Sequence, residues 1–225
     1  MVLDPIQLIV LDMAGTTVAD TFSVHDSMIK AFENHGYPID RSIASMVLAV
    51  PKPIGIRAIL HTHFHQENEA LVDKIHETFK IHMNAYYRDS ELVAETQQTG
   101  VFFDFLKERK IHIVLDTGFS KETADLIVKR LNWNKKIDGL VCSDDVLIGR
   151  PKPDMIYKAM EMVGARDSQK VIKMGDTPND MLQGKNAGCK WTVGINSGAF
   201  SSEELKKAGA DIVLDYPYQL IQHLK

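Results

Sequence analysis

Short apolar runs, each followed by a polar turn, recur along the chain and predict the strands of a parallel sheet. Amphipathic segments with helical spacing lie between the runs from about residue 99 onward. Strands separated by helices of about ten residues are typical of right-handed βαβ units. The predicted strands cover 7–11, 111–115, 140–142, 171–174, 191–195 and 212–214, and the predicted helices between them cover 121–131, 154–163 and 179–186.

The segment between the first strand and residue 99 has a different pattern. It has helical spacing over 23–35, 54–64 and 67–87 and no clear strand. The sequence therefore predicts an α/β, Rossmann-like core of three layers over 1–17 and 97–225, with a helical cap domain inserted over 18–96. Ligands of such sheets bind at the carboxyl ends of the strands, where an inserted domain can act as a lid.

Composition argues against several classes of protein. The 225 residues are 44% apolar and 25% charged, with a net charge of -4 and scattered Lys and Arg, so we expect no nucleic-acid partner. No apolar run approaches the roughly 20 residues that span a bilayer, and no signal peptide is evident, so we expect no membrane association. Cys142 and Cys189 form no CxxC motif or disulfide framework, which favours a reducing, cytoplasmic location.

A carboxylate ends the first predicted strand. Asp12 is followed by Ala14 and Gly15 in the stretch "LDMAGTT". Glycine here allows a tight turn whose exposed amides suit an anion. Taken alone, an aspartate at a strand end is equally typical of a turn or a cap.

Polar side chains follow three other predicted strands. Thr117 and Gly118 follow one of them, where a hydroxyl donor and an accessible backbone suit a phosphate oxygen. Arg150 follows the next strand in "GRPKPD" and can neutralise a phosphoryl group, with Lys152 as a second candidate. Each feature alone has an ordinary explanation, as a helix cap or a surface charge, but their joint occurrence by chance is improbable.

The loop "GDTPND" adds two more carboxylates after a fourth strand. Asp176 and Asp180 lie four residues apart and would face Asp12 across the sheet edge. Oxygen ligands of this kind favour Mg²⁺. A proline turn with a capping aspartate is the alternative interpretation.

These four motifs resemble those of the haloacid dehalogenase superfamily over essentially the whole chain. The resemblance implies that Asp12 attacks phosphorus and forms an aspartyl-phosphate that water hydrolyses. It also implies a C1-type cap, with Thr117 and Arg150 holding the phosphoryl group. The implied Mg²⁺ ligands are Asp12, the Ala14 carbonyl, Asp176 and Asp180.

Ala14 narrows the resemblance to one branch. Most phosphatases of the superfamily carry an acid/base aspartate at this position, whereas alanine has no titratable group. The DxAGT pattern with Arg150 is similar to the phosphonoacetaldehyde hydrolases (phosphonatases), in which a cap lysine forms a Schiff base with the substrate aldehyde. Lys52, in "LAVPKPIGIRAIL", lies at the matching position, and its flanking prolines predict a stiff loop.

The cap also departs from the phosphonatase pattern. Leu48 and Gly55 stand where the family has a methionine and a histidine that assists proton transfer. Two roles for Lys52 therefore stay open, imine formation and the steering of an anionic substrate. The histidines of "HTHFHQE", His61, His63 and His65, are more typical of a surface helix end than of a zinc site, and one of them is a candidate replacement for the missing acid/base.

The sequence thus predicts a Mg²⁺-dependent hydrolase that cleaves a P–C or P–O bond in a small phosphonate or phosphorylated metabolite. A phosphatase for a small metabolite is the first alternative. A phospholigand-binding protein that lost activity at Ala14 is the second. The sequence is also compatible with a homodimer.

Overall fold

Six parallel strands form the sheet of the computed structural model, which describes residues 6–19, 22–47 and 50–224. Leu48 therefore lies outside the described residues. The strand order is β3-β2-β1-β4-β5-β6. Strand β1 is therefore central, with β2 and β3 on one side of it and β4, β5 and β6 on the other. The strands are β1 (Leu8–Asp12), β2 (His112–Thr117), β3 (Gly139–Cys142), β4 (Val171–Gly175), β5 (Trp191–Ile195) and β6 (Ile212–Leu214).

Helices connect these strands and lie on both faces of the sheet. The α-helices are α1 (Ser23–Glu33), α2 (Arg41–Ala44), α3 (Lys52–Phe64), α4 (Glu69–Asp89), α5 (Thr99–Glu108), α6 (Lys121–Arg130), α7 (Asp154–Val163), α8 (Pro178–Ala187) and α9 (Ser202–Lys207). Short 3-10 helices cover Ser45–Val47, Ser143–Asp145, Ser168–Lys170 and Pro217–His223. None of the helices in the described part of the chain is long and apolar enough to cross a membrane.

The chain divides into two compact units, one formed by 1–20 and 93–225 and the other by 21–92. The first unit contains the whole sheet. All five residues of β1 are buried, because helices cover both faces, and this explains why its sequence is a continuous apolar run rather than an alternating one. On one face, α7 packs Met155, Ile156 and Ala159 against Val10 and Val114.

The described residues of the second unit form helices and the segments that connect them, without a strand. Helix α4 packs against α1 and α3. The buried side chains recur at helical spacing, as in Val72, Ile75, Phe79 and Met83 of α4, which are almost fully removed from solvent. This spacing is the signal that predicts the helices from sequence.

The parallel α/β fold predicted from the sequence is confirmed, and the six predicted strands are present with small shifts at their ends. Helix α4 begins two residues later than predicted because the Asn68 side chain accepts a hydrogen bond from the Leu71 amide and caps it. Helices α2, α5 and α9 were not predicted from the sequence. Helix α9 has only six residues, too few for a clear helical period.

One glycine sets how closely α8 approaches the sheet. A Cβ atom on Gly184 would lie 2.3 Å from Thr192 Cγ2 and 2.9 Å from Lys173 Cβ. Both neighbours are fixed on strands and cannot move aside easily. The contact of α8 with β4 and β5 therefore requires glycine at this position.

We expect Gly184→Ala to destabilise the protein, because overpacking outweighs the gain in helix propensity of about 1 kcal/mol. A net loss of about 1–2 kcal/mol corresponds to a fall of roughly 2–8 °C in Tm for a chain of this size. The measurement is thermal unfolding followed by circular dichroism. Gly149→Ala is the matched control, since a Cβ there meets no atom of the described residues within 4 Å. Equal Tm values for the two variants would contradict this account of the packing.

Candidate active site

Asp12 lies at the carboxyl end of β1. This strand is the topological switch point of the sheet, because β2 and β3 follow on one side of it and β4 to β6 on the other. Asp12 pairs in register with Asp116 of β2, while β4 lies on its other side. Such a switch point leaves a crevice outside the strand ends, which is the usual ligand site of parallel sheets. The whole Asp12 residue is only 4% exposed, so its carboxylate is largely shielded from bulk water.

The loop after β1 winds tightly around one carbonyl group. The amides of Thr16, Thr17 and Val18 all donate to the Met13 oxygen, at 2.8–3.2 Å. Gly15 has φ +81, and a Cβ on it would lie 2.1 Å from Asp176 Oδ2. Glycine is therefore required both by its backbone conformation and by the approach of a carboxylate.

Arg150 connects the carboxylates at this edge of the sheet. Its Nη2 donates to Asp12 Oδ1 at 2.6 Å and to the Asp116 carbonyl oxygen at 3.3 Å. Its Nη1 lies 2.9 Å from Asp180 Oδ1. Lys152, the second cation considered from sequence, is exposed. The structure thus brings Arg150, rather than Lys152, against the aspartates.

The two aspartates of the "GDTPND" loop have different partners. Asp180 Oδ2 accepts hydrogen bonds from the Thr177 hydroxyl at 2.6 Å and the Thr177 amide at 3.2 Å, forming a capping box at the start of α8. Asp176 Oδ2 accepts from the Ser197 hydroxyl at 2.8 Å. Asp180 therefore caps a helix and also binds Arg150.

The sequence analysis missed three polar residues of this cluster. Asp116 of β2 and Lys173 of β4 are both fully buried and form an ion pair with each other. Lys173 Nζ also lies 3.0 Å from Asp180 Oδ1. A charged residue inside each of the apolar runs "IHIVLDT" and "VIKMG" was the available signal, since buried charges are nearly always paired. Ser197 lies in an exposed Gly/Ser loop, which gives no such signal.

The remaining predicted core residues also lie near the strand ends. Thr117 is the last residue of β2 and is buried, and its hydroxyl accepts a hydrogen bond from the Phe119 amide at 3.2 Å. It does not cap α6, because Ser120 does so. Gly118 is exposed, and a Cβ on it would meet no atom of the described residues within 4 Å. Ala14 pairs with Val18 in an isolated bridge.

Burial and crowding shift the pKa values of these carboxyl groups in different directions. Burial raises the pKa of Asp12 to about 7, against the opposing effect of Arg150. Burial, together with the charges of Asp12 and Asp180, raises the pKa of Asp176 well above its ordinary value. For Asp180, burial is outweighed by Arg150, Lys173 and the Thr177 hydroxyl, which lower its pKa.

The charges of the cluster fit a divalent cation. When the carboxyl groups of Asp12, Asp116, Asp176 and Asp180 are all ionised, they face two cations, Arg150 and Lys173, which leaves two negative charges uncompensated within this set of described residues. Asp12, Asp116 and Asp180 each offer an oxygen within 4.8 Å of the others. Asp116 Oδ2 is buried and accepts no hydrogen bond from the part of the chain that the structure describes. The oxygen-rich set therefore suits a hard ion such as Mg²⁺.

Lys52 belongs to the second unit. The flanking prolines predict a loop at this position, but the structure shows a helix. Lys52 is the first residue of α3, with Pro51 as N-cap and Pro53 beside it. That prediction was wrong because proline is well tolerated in the first helical turn, where amides need no helical partner. Lys52 is half-buried, and its Nζ donates to the Val47 carbonyl oxygen at 2.9 Å.

Gly55 has no room for a side chain. A Cβ there would lie 2.8 Å from Val47 Cγ1 and 2.9 Å from Val47 Cα. The backbone of the preceding 3-10 helix occupies the space. The local packing of this chain thus leaves no space for a histidine side chain at this position.

The three histidines near the end of α3 are all exposed. His61 Nδ1 lies 3.3 Å from Glu67 Oε1. His65 follows the end of the helix with φ +53, so it does not share a helix face with His61. Among the described residues, no group of three metal-binding side chains includes any of them.

A cleft of about 480 Å³ opens beside the carboxylate cluster within the first unit. Gly15 and Ser197, which both lie close to Asp176, form part of its lining, together with Asn196 and Asp215. The cleft gives a small polar ligand access to this part of the sheet edge.

Comparison with known proteins agrees with this geometry. The family model for haloacid dehalogenase-like hydrolases matches residues 6–188. A phosphonoacetaldehyde hydrolase from Bacillus cereus (strain B4264) is 32% identical over 211 residues, covering 86% of this chain and 77% of that protein.

Solved structures share the fold. A phosphonoacetaldehyde hydrolase-like protein from Oleispira antarctica superposes with a TM-score of 0.84 at 23% identity, covering 99% of this chain and 92% of that one. CbbY from Rhodobacter sphaeroides, solved in complex with phosphate, gives a TM-score of 0.84 at 19% identity, covering 96% of each chain. From its sequence motifs, its fold and these relatives, the chain belongs to the haloacid dehalogenase-like hydrolases, in their phosphonatase-like branch.

Proposed function

We propose that this hydrolase cleaves the P–C bond of a small phosphonate aldehyde, either phosphonoacetaldehyde or a similar compound. The reaction passes through an aspartyl-phosphate at Asp12. The observation that carries the proposal is the buried Asp12 carboxylate, held 2.6 Å from Arg150, which also contacts Asp180. This arrangement supports the proposal, because a carboxylate can act as a nucleophile and a guanidinium beside it can neutralise a phosphoryl group.

Asp12 supplies the nucleophilic oxygen. It attacks phosphorus, and water then attacks the phosphorus of the aspartyl-phosphate, which restores the Asp12 carboxylate and releases phosphate. Arg150 and the Thr117 hydroxyl hold the non-reacting phosphoryl oxygens in line. Mg²⁺, held by Asp12, the Ala14 carbonyl and Asp176, with Asp180 in support, would offset the repulsion between carboxylate and phosphoryl group.

Lys52 is proposed to activate the rest of the substrate. Its amine condenses with the aldehyde to a protonated imine and releases water. When the P–C bond breaks, its electron pair moves into the imine and forms an enamine. The enamine is protonated at carbon and hydrolysed to acetaldehyde, which regenerates the Lys52 amine. No alkoxide leaves in this route, so the acid that Ala14 lacks is not needed for the bond cleavage.

A second candidate is a phosphatase for a small phosphorylated metabolite. It is favoured by the packing at Gly55, which excludes a side chain where phosphonatases have histidine. In this reaction the substrate loses an alcohol rather than a carbanion equivalent, and Lys52 would only attract the anion. A binding protein without turnover is the remaining alternative.

One experiment separates these candidates. We expect the protein with Mg²⁺ to release phosphate from phosphonoacetaldehyde, and borohydride to trap a reduced substrate adduct on Lys52, seen by peptide mass spectrometry. Lys52→Arg should lose both, since a guanidinium forms no imine, while Lys80→Arg, in the same unit, is the control.

Phosphate release from phosphate monoesters alone, unaffected by Lys52→Arg, would favour the phosphatase. Absence of turnover with both substrate classes, despite binding of phosphate, would favour the binding protein.

The pKa of Asp12 predicts a pH-dependent stability of the metal-free protein. Because burial raises this pKa from 3.8 to about 7, the folded state binds the proton more tightly than the unfolded state does. The bound proton makes its full stabilising contribution below the pKa of the unfolded state. This contribution is lost as the pH rises from there through the folded-state pKa of about 7, and the loss amounts to roughly 4 kcal/mol. Asp12→Asn should therefore raise the Tm of the metal-free protein by several degrees at about pH 8 and much less at about pH 5.

The same unfolding measurements with Mg²⁺ complete this prediction. Millimolar Mg²⁺ should stabilise the wild type at about pH 8, because binding to the folded state raises its stability, and it should stabilise Asp12→Asn far less. A Tm difference between the proteins that is independent of both pH and Mg²⁺ would refute the assigned charge of Asp12.

A further inference from the structure

Lys173 is a fully buried lysine in the middle of β4 that the mechanism above does not use. Burying an ammonium group is costly unless it is paired, so its position requires an explanation. Its partners are both carboxylates of the candidate active site, Asp116 and Asp180.

The sheet register explains how the lysine reaches the site. Lys173 pairs with Val10, which lies two residues before Asp12 on the same face of β1. Asp12 pairs in turn with Asp116, so both carboxylates stand one row further along that face. Two residues of strand span about 6.6 Å, which is close to the reach of a lysine side chain. The stem of Lys173 thus runs beneath the row of aspartates and ends among them.

Helix α8 encloses the stem of this lysine. Gly184 brings the helix so close that a Cβ there would lie 2.9 Å from Lys173 Cβ. Gly175, which follows Lys173 by two residues, similarly allows the Asp180 side chain to approach, since a Cβ on it would lie 2.2 Å from Asp180 Cγ. Two glycines therefore shape the space around the lysine and its partner.

The partners of Lys173 are also the groups that hold Arg150. Asp180 Oδ1 lies 3.0 Å from Lys173 Nζ and 2.9 Å from Arg150 Nη1. Asp116 pairs with Lys173 through one carboxylate oxygen, while its other oxygen lies 3.9 Å from Arg150 Nε and its carbonyl accepts from Nη2. Any movement of these two carboxylates would move the guanidinium.

We propose that Lys173 and Asp116 form a positioning pair that fixes Asp180 and thereby aims the Arg150 guanidinium at the phosphoryl group. The pair carries no net charge, so it can orient Arg150 without changing the attraction of the site for a dianion. This inference rests on the proposed function, because it takes Arg150 as the group that holds the phosphoryl oxygens.

The charge and the position of the pair have separable effects. Lys173→Met removes a positive charge and Asp116→Asn removes a negative one, whereas the double variant leaves the net charge unchanged. If only charge matters, Lys173→Met weakens phosphate binding, Asp116→Asn strengthens it, and the double variant returns to the wild-type value. If position matters, all three variants bind phosphate more weakly.

The test is titration of inorganic phosphate by isothermal calorimetry, with Mg²⁺ present, alongside its inhibition constant against turnover. We expect Kd to rise about tenfold or more in all three variants, as is common when a group that orients a ligand-binding residue is lost. The double variant should fold, because it removes one buried charge of each sign and leaves the charge balance of the cluster unchanged, and it carries the test if Lys173→Met does not fold. Asp104→Asn/Lys136→Met removes a more exposed Lys–Asp pair of the same unit and should leave Kd unchanged.

Three outcomes would overturn the inference. Opposite changes in the two single variants would mean that charge alone acts. A wild-type Kd in a double variant with altered Tm would mean that the pair serves stability alone, and in either case the proposed function would stand. A wild-type protein that neither binds phosphate nor turns over any phosphorylated substrate or phosphonate would overturn both.

Discussion

Four aspartates and two cations, the buried Lys173 and the partly exposed Arg150, share one end of the sheet, and the need to balance their charges governs the rest of the site. Burial makes the charged form of each carboxylate costly, as the raised pKa values of Asp12 and Asp176 indicate. Arg150 and Lys173 compensate only part of this charge, and what remains suits a divalent cation. The described residues of the site therefore leave its charge incompletely balanced, and the proposed Mg²⁺ would complete the balance.

The order of the strands brings these charged side chains together. Because β1 is central, its end lies beside both β2 and β4, and the two loops that follow these strands join the same crevice. The close contacts need small residues at particular points. Gly15 allows Asp176 to approach the first loop, and Gly175 allows Asp180 to approach β4. The same packing that closes the core thus sets the distances among the carboxylates.

Much of this arrangement could be predicted from the sequence, because apolar runs and the polar residues at their ends are local signals. Asp12, Arg150 and Asp180 lie together as their places at strand ends suggested. Lys173 was missed because a single charge in an apolar run does not reveal its partner, which depends on the register of distant strands. The helical start at Lys52 was missed because the flanking prolines favour either a loop or a first helical turn.

The residues that distinguish the two proposed substrate classes lie in the cap. Lys52 at the start of α3 is compatible with imine formation, whereas the packing at Gly55 differs from what a histidine would need. In the proposed function, both substrate classes share one step, phosphoryl transfer to Asp12. The most direct test is therefore rapid acid quenching during turnover, followed by peptide mass spectrometry. The account predicts one phosphoryl group on the peptide that contains Asp12, absent from Asp12→Asn; turnover without that adduct, or with a phosphoryl group on another residue, would contradict it.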